Sequence, residues 1–267
     1  MKKTLITLLA LAGVAAADTI TLTPMTTTEG WVFGKARNKG SNTELDTTNG
    51  TMTSTNVGWA GAYAEYSLSE AITLQSPEDT MTVSFTMLSS KATGPYSGNN
   101  WGVCMTTTLI GGNTALTAGY GRYDQSISDS KGPIQMVASS NTNYHFFNMK
   151  ETVGGDAPLT GYTEATGVLQ NNVALTLTNT IKWDASISQF VSTITYGENN
   201  TVLGTANLGE TFSLEKINLS VDTGSLDNSL NAQISGLTIT ANLVPEPTTA
   251  TLSLLALCGL AARRRRK

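Results

Sequence analysis

Met81-Thr82-Val83-Ser84-Phe85-Thr86-Met87 alternates apolar and polar side chains without a break. Successive side chains of a pleated strand point to opposite faces. Met81, Val83, Phe85 and Met87 therefore form one apolar face, and Thr82, Ser84 and Thr86 the other. The same two-residue period recurs less strictly in Val191-Ser192-Thr193-Ile194-Thr195-Tyr196 and in Leu237-Thr238-Ile239-Thr240-Ala241. Further strand-like runs lie at Thr19–Thr23, Ala62–Leu68, Trp101–Ile110, Ile134–Ala138, Tyr144–Met149, Val173–Trp183, Gln189–Tyr196, Ile217–Val221 and Ile234–Leu243. Gly197-Glu198-Asn199-Asn200 has hairpin chemistry. No stretch of the body carries a helical period of useful length. The pattern predicts an all-β, two-sheet antiparallel sandwich of about ten to fourteen strands. Its long Gly/Asn/Ser loops fall at 35–57, 89–100, 122–132 and 154–172, where binding and variable regions often sit.

Composition agrees. Thr (43), Ser (23) and Asn (20) make up about a third of the 267 residues, and only 13% are charged. Their short polar side chains compete with a helical backbone ladder and suit strands and turns. The net charge of −4 conceals an uneven distribution. Lys2, Lys3 and the closing Arg263 to Lys267 are cationic, whereas residues 19–245 hold nine Lys/Arg against 18 Asp/Glu. Such an acidic body repels phosphate backbones and argues against nucleic acid as a partner.

The two ends look like addresses. Residues 1–17, MKKTLITLLALAGVAAA, have a basic start, an apolar stretch from Leu5 to Val14 and small residues at Ala15, Ala16 and Ala17. That is the layout of a secretory signal peptide, with cleavage expected before Asp18. The apolar run of about ten residues is too short to span a membrane. At the other end, Val244-Pro245-Glu246-Pro247 precedes the apolar stretch 248–262 and the cluster Arg263, Arg264, Arg265, Arg266 and Lys267. The prolines hold their segment extended. The apolar stretch makes roughly 22 Å of helix, short of the ~30 Å hydrocarbon core, although snorkelling arginines make up part of the deficit. The basic cluster is expected to stay cytoplasmic, with the rest of the chain outside.

This three-part tail resembles the PEP-CTERM sorting signal of diderm bacteria, which an exosortase, a membrane-embedded cysteine transpeptidase-like enzyme, recognises. The resemblance covers residues 244–267. It implies export through the Sec translocon, transient retention by a short transmembrane helix, and processing at or near Pro245, Glu246 and Pro247. Delivery to the cell surface or its exopolysaccharide follows. Whether the tail is cut or kept as an anchor stays open. The expected division is a signal peptide at 1–17, a β-sandwich domain at 18–243 and the sorting tail at 244–267.

The body carries a second resemblance. A long strand from Val173 ending in Trp183-Asp184 leads through Gln189–Tyr196 to a closing strand, Ile234-Ser-Gly-Leu-Thr-Ile-Thr-Ala241, and Asp79–Met87 supplies an early core strand. The order looks like a laminin-G or concanavalin A-like jelly roll, which implies a sandwich whose laminin-G relatives often hold calcium at a loop rim.

Chemistry in the body is sparse. A retaining glycosidase needs two carboxylates about 5–5.5 Å apart, and no Glu-x-Asp-x-x-Glu spacing occurs. Glu44-Leu45-Asp46 lacks a third acid, and the adjacent Glu78 and Asp79 would face opposite ways on a strand and read as a polar turn. His145 is the single histidine, so any Ser-His-Asp arrangement must use it, and no Gly-x-Ser-x-Gly elbow is present. A strand-edge histidine is the simpler reading. With Cys258 in the tail, Cys104 is the body's one thiol, which precludes an intramolecular disulfide there and a His/Cys zinc site; it reads as a buried, inert side chain. Asp222 and Asp227 offer oxygen ligands for Ca2+ in 222–228, where a plain turn serves equally. No other cofactor is implied. Trp59, Tyr96, Trp101, Tyr120 and Tyr123 are candidate sugar-stacking rings beside Asn/Gly loops, with core packing the alternative for Trp101 and for Trp183. The reading is an exported surface or matrix protein, non-enzymatic, with extracellular polysaccharide as partner or a structural role. The alternative is a glycan-active hydrolase or lyase on the same fold.

Overall fold

The computed structural model describes residues 18–35, 41–56, 60–90, 103–121, 131–139, 158–170, 172–223 and 231–244. Residues 1–17, read above as a signal peptide, the tail from Pro245 onward and the strand-like run at 144–149 lie outside them. Fifteen strands are described. They are β1 (Asp18–Leu22), β2 (Trp31–Lys35), β3 (Ser41–Asp46), β4 (Thr51–Asn56), β5 (Ala60–Leu74), β6 (Thr80–Ser90), β7 (Val103–Gly111) and β8 (Thr114–Gly121), followed by β9 (Lys131–Ser139), β10 (Pro158–Gln170), β11 (Leu175–Asp184), β12 (Gln189–Tyr196), β13 (Thr201–Gly209), β14 (Phe212–Thr223) and β15 (Asn231–Leu243).

The strands form two antiparallel sheets, as the alternation predicts. Sheet A runs β13-β12-β11-β6-β15-β4-β3, with β1 also paired to β15, and sheet B runs β10-β9-β8-β7-β14-β5-β2. The strand that decides the fold behaves as its sequence dictates. Met81, Val83, Phe85 and Met87 of β6 are buried, while Thr82, Ser84 and Thr86 are half-buried on the outer face. Leu177 and Ile181 of β11, Phe190 and Ile194 of β12, and Ile234, Leu237, Ile239 and Ala241 of β15 complete that side of the core. Sheet B answers with Met105, Leu109, Leu116, Ala118, Tyr120, Met136, Ile217 and Leu219. Gly197 and Asn200 both take positive φ in the 197–200 hairpin, as its sequence suggests.

Two expected loops contain strands. Segment 35–57 holds β3 and β4, and 154–172 holds β10. Their residues, such as Ser41-Asn-Thr-Glu-Leu-Asp46 and Thr51-Met-Thr-Ser-Thr-Asn56, are poor in apolar side chains because these strands lie towards the sheet edges. The backbone ladder holds them where propensity alone does not. Likewise β2, β8 and β13 escape the sequence pattern.

β15 is the last described strand, yet it lies inside sheet A. β6 flanks one side of it, and on the other side β4 pairs with Asn231–Ser235 and β1 with Ile239–Leu243. The hand-over falls at Gly236, whose φ of +62° and shifted register mark a bulge that a Cβ would strain. Among the described residues, no helix is long and apolar enough to cross a membrane.

Candidate functional site

The two ends of the sandwich differ. At one end, Lys35, Ser41, Asn56, Ala60, Ser90, Val103, Gly121, Thr223 and Asn231 begin or finish strands in matching register: Thr223 pairs with both Ala60 and Val103, Ser90 with Asn231, and Ser41 with Asn56. The connections leaving this end include 57–59, 91–102, 122–130 and 224–230. Trp59, Tyr96, Trp101, Tyr123 and Asp227 belong to those connections and lie outside the described residues, as does His145. At the opposite end the described turns 75–79, 112–113, 185–188 and 210–211 are short, but the connection 140–157 also leaves from there, since Ser139 pairs with Ala115 and with Pro158. There Asp18, the first residue of β1, pairs with Leu243, the last of β15. The two ends are about 40 Å apart along β15, at ~3.4 Å per residue.

Near the connection-rich end, sheet B finishes in an aromatic edge. Trp31 is buried, and its indole N–H donates to the Pro24 carbonyl at 2.9 Å. Its ring lies 6.3 Å from that of Phe33, nearly parallel at 24°, and 5.2 Å from that of Tyr66. Phe33 is 45% exposed, and its neighbour Val32 on the edge strand β2 is more open still. A half-open aromatic ring is the kind of side chain that stacks on the apolar face of a sugar. The pattern of the sequence did not reveal it, because Trp31-Val32-Phe33-Gly34-Lys35 is too short to display a period.

The outward faces of the two sheets contrast. On sheet A, Thr21, Thr240, Thr82, Thr180, Thr193 and Thr205 stand in one cross-strand row over six strands. Neighbouring hydroxyls pair with one another, as Thr86 and Thr176 do at 2.8 Å. This face is partly open to water. On sheet B, Thr106, Thr108, Thr117, Ser139, Asn218 and Ser220 also point away from the main core, yet all are buried. Thr108 and Thr117 share a hydrogen bond of 2.9 Å, and the Ser220 hydroxyl donates to Asn218 Oδ1 at 3.2 Å. Ile110, Ala115 and Val137, buried but outside the main cluster, complete a second shielded layer. Beside it, the ammonium of Lys216 donates to Glu65 at 2.9 Å.

The remaining sequence candidates resolve as follows. Tyr120 is fully buried in the core, opposite Met105, so its ring is not a sugar platform. Trp183 packs edge-on against Phe190 at 5.3 Å, as core packing requires. Asp222 is the penultimate residue of β14, paired with Gly61 and Cys104, rather than part of a loop. Among the described residues, no three His, Cys, Asp or Glu side chains gather as a metal site would need. Asp46 and Asp184 are turn caps. Asp46 accepts from the Asn49 side chain at 2.6 Å and from the Asn49 and Thr48 N–H groups, and these bonds, the side-chain one foremost, hold its carboxyl below the ordinary range. The hydroxyl and N–H of Ser186 do the same for Asp184, with help from the charge of Lys182.

Glu78 and Asp79 form the expected polar turn, but with an unexpected inversion. Glu78 is exposed, whereas Asp79 is 1% exposed. Asp79 Oδ2 accepts the N–H groups of Gln75 and Ser76 at 2.9 and 2.8 Å, and Oδ1 accepts that of Val244 at 2.7 Å.

No family model matches the chain, and no curated protein matches it. Solved structures with a similar layout of strands do exist. The carbohydrate recognition domain of Emp47p is 12% identical, over 84% of this chain and 95% of that one, with a TM-score of 0.42. The winged bean acidic lectin complexed with methyl-α-D-galactose is 11% identical over 85% and 99%, at 0.46. Lectin II from Ulex europaeus is 12% identical over 86% and 100%, at 0.41. The likeness is one of strand layout, and the sugars in those names belong to those proteins.

Proposed function

We propose that this chain is an exported, non-enzymatic β-sandwich protein, sorted by an exosortase-type enzyme to the envelope or extracellular matrix. There it binds neutral glycan of the exopolysaccharide. One observation carries the reading: the sandwich is polar. The strand end that leads into Pro245, Glu246, Pro247 and the basic cluster lies beside Asp18, at the end of the turns 75–79, 112–113, 185–188 and 210–211 and of the connection 140–157. The connections holding Trp59, Tyr96, Trp101 and Tyr123 leave from the far end, and the exposed Phe33 stands close to that end. A chain held at the membrane by its tail would direct that far end into the matrix. Signal-peptide cleavage before Asp18 would leave β1 whole. An acidic body favours neutral over anionic polymers.

Two experiments test this. Cells expressing the full chain and a version lacking residues 245–267 are fractionated. The full chain is expected in the envelope or matrix and the truncated one free outside the cell; a cytoplasmic full chain with an intact C-terminus overturns the sorting reading. The exported protein is then applied to a glycan array beside F33A, W59A and Y123A. Binding of neutral glycans is expected to weaken about tenfold on loss of a stacking ring. Hydrolysed glycan on the array would overturn the non-enzymatic reading, and no binding at all the glycan reading.

A further inference from the structure

Asp79 is an unusual residue to find at the start of a core strand. A carboxylate removed from water costs several kcal/mol unless its charge is met by donors. Here the donors are three backbone N–H groups, and two of them, from Gln75 and Ser76, close the turn that leads into β6. A turn alone accounts for those two. The third comes from Val244, 165 residues away in the chain and one residue before Pro245. Around it the tail end is stitched across three strands. Thr19 of β1 donates to Asn242 Oδ1 at 2.9 Å, the Asn242 amide reaches Thr80 of β6 at 3.4 Å, and Asp18 pairs with Leu243. The place where the chain leaves the sandwich is thus assembled from its first strand, the 75–79 turn and its last strand. It exists only once all three have come together.

We propose that Asp79 is a positioning residue for processing of the tail. By holding the Val244 N–H it sets the residue at which the fold releases the chain, and so where a membrane-bound peptidase finds an extended substrate. This rests on the sorting reading above. Cleavage breaks one backbone C–N bond; water or another nucleophile takes the acyl group and the downstream segment leaves as an amine. An extended peptide is required for that attack, and a strand paired on both sides is no substrate. With Val244 clamped, the protected strand ends there, one residue before Pro245. Without the clamp the end of β15 frays, and the boundary between protected and cleavable chain spreads back towards Ala241. Because the clamp forms only when β15 has docked beside β6 and its 75–79 turn, the device also limits processing to folded protein.

The test uses the purified full chain and the variants D79N and V244P. D79N removes one carboxylate acceptor; V244P removes the donor and leaves the 75–79 turn its own bonds. A broad-specificity protease trims each protein and mass spectrometry reads the C-terminus at which trimming stops, while hydrogen exchange follows the end of β15. Wild type is expected to stop within a residue or two of Val244. Both variants should be trimmed further into β15, with exchange of its last amides about tenfold faster. M52A, a core truncation higher up the sheet opposite Ile234, should lower stability without moving the boundary. A boundary that D79N and V244P leave in place, or that M52A moves equally, overturns the proposal. In cells, the exported wild type should carry a single C-terminus and the clamp variants a spread of them. If the wild type reaches the envelope but is never cut, the cellular role of the clamp fails and the sorting reading stands in its anchored form; if it stays uncut in the cytoplasm, both fail. If it is cut uniformly in all variants, the clamp alone fails.

Discussion

Sheets A and B use the same residue types and bury them differently. In sheet A the outward hydroxyl residues of β6, β11 and β12 are partly open to solvent, so buried and hydrated positions alternate, and the inward Ser192 donates to Asn179. In sheet B both faces are covered around β7 and β8, where Thr106, Thr107 and Thr108 follow one another and all three are buried, while Lys216 and Val32 towards the β2 edge stay open. Alternation is a signature of one wet face. It disappears where a second layer covers the sheet, even though the strand geometry is the same. A threonine therefore means different things in the two sheets: on A it is a surface residue with β propensity, and on B it is an interior residue that needs a partner.

The largest effect should come from the shared core. Phe85→Ala in β6 is expected to cost about 3–5 kcal/mol in denaturant unfolding, whereas Thr82→Ala three positions away on the outer face should stay within about 0.5 kcal/mol. The contrast between the sheets is tested by placing a charge on each outer face. Thr117→Lys buries an unpaired ammonium beside Thr108, and a loss of about 3 kcal/mol or more is expected. Thr180→Lys, on the corresponding face of sheet A, should change little. Equal losses would mean that the two faces are equally covered and would erase the distinction.

A smaller effect sharpens the account of sheet B. The Thr107 hydroxyl points to the core face, cross-strand from Leu219 and Ala118, and is buried without a hydrogen-bond partner. Thr107→Val keeps the shape and removes the unmet polar group, so a gain of about 1 kcal/mol is expected in the same unfolding measurement. Destabilisation would show that the hydroxyl has a partner in solution.

The smallest effect is electrostatic. Asp46 and Asp184 have carboxyls held below their ordinary value of 3.8. A carboxyl whose pKa is lower in the folded state contributes stability above the unfolded value. That contribution is lost as pH falls through the folded one. Melting temperature measured from about pH 5 downward should therefore fall less steeply in D46N/D184N than in wild type. Both groups are exposed, so the difference is modest; a steeper fall in the double variant would contradict the sign.

How far the sequence could be read follows from the same contrast. β6, β11, β12 and β15 announce themselves because each has one buried and one hydrated face. β8 and β13 do not, and β3 and β4 look like loops because strands near a sheet edge contribute backbone bonds more than side-chain burial. The polar turn at 75–79 was legible from Glu78 and Asp79, but the inversion of their burial was not. It depends on Val244, which no local pattern brings near. Phe33 escaped notice for a similar reason: a single exposed ring has no period.

The sequence by itself determined the class of fold, because strand periodicity and a Thr/Ser/Asn-rich composition are local properties of the chain. It also carries the two terminal address-like segments, which are read from residues adjacent to one another. Only the tertiary structure decided which polar residues are interior, which ring is exposed and which carboxylate closes the sandwich. Those are matters of distance between residues far apart in the chain, and hydrogen bonds such as that from Val244 to Asp79 come into being only when the last strand docks beside β6 and its 75–79 turn.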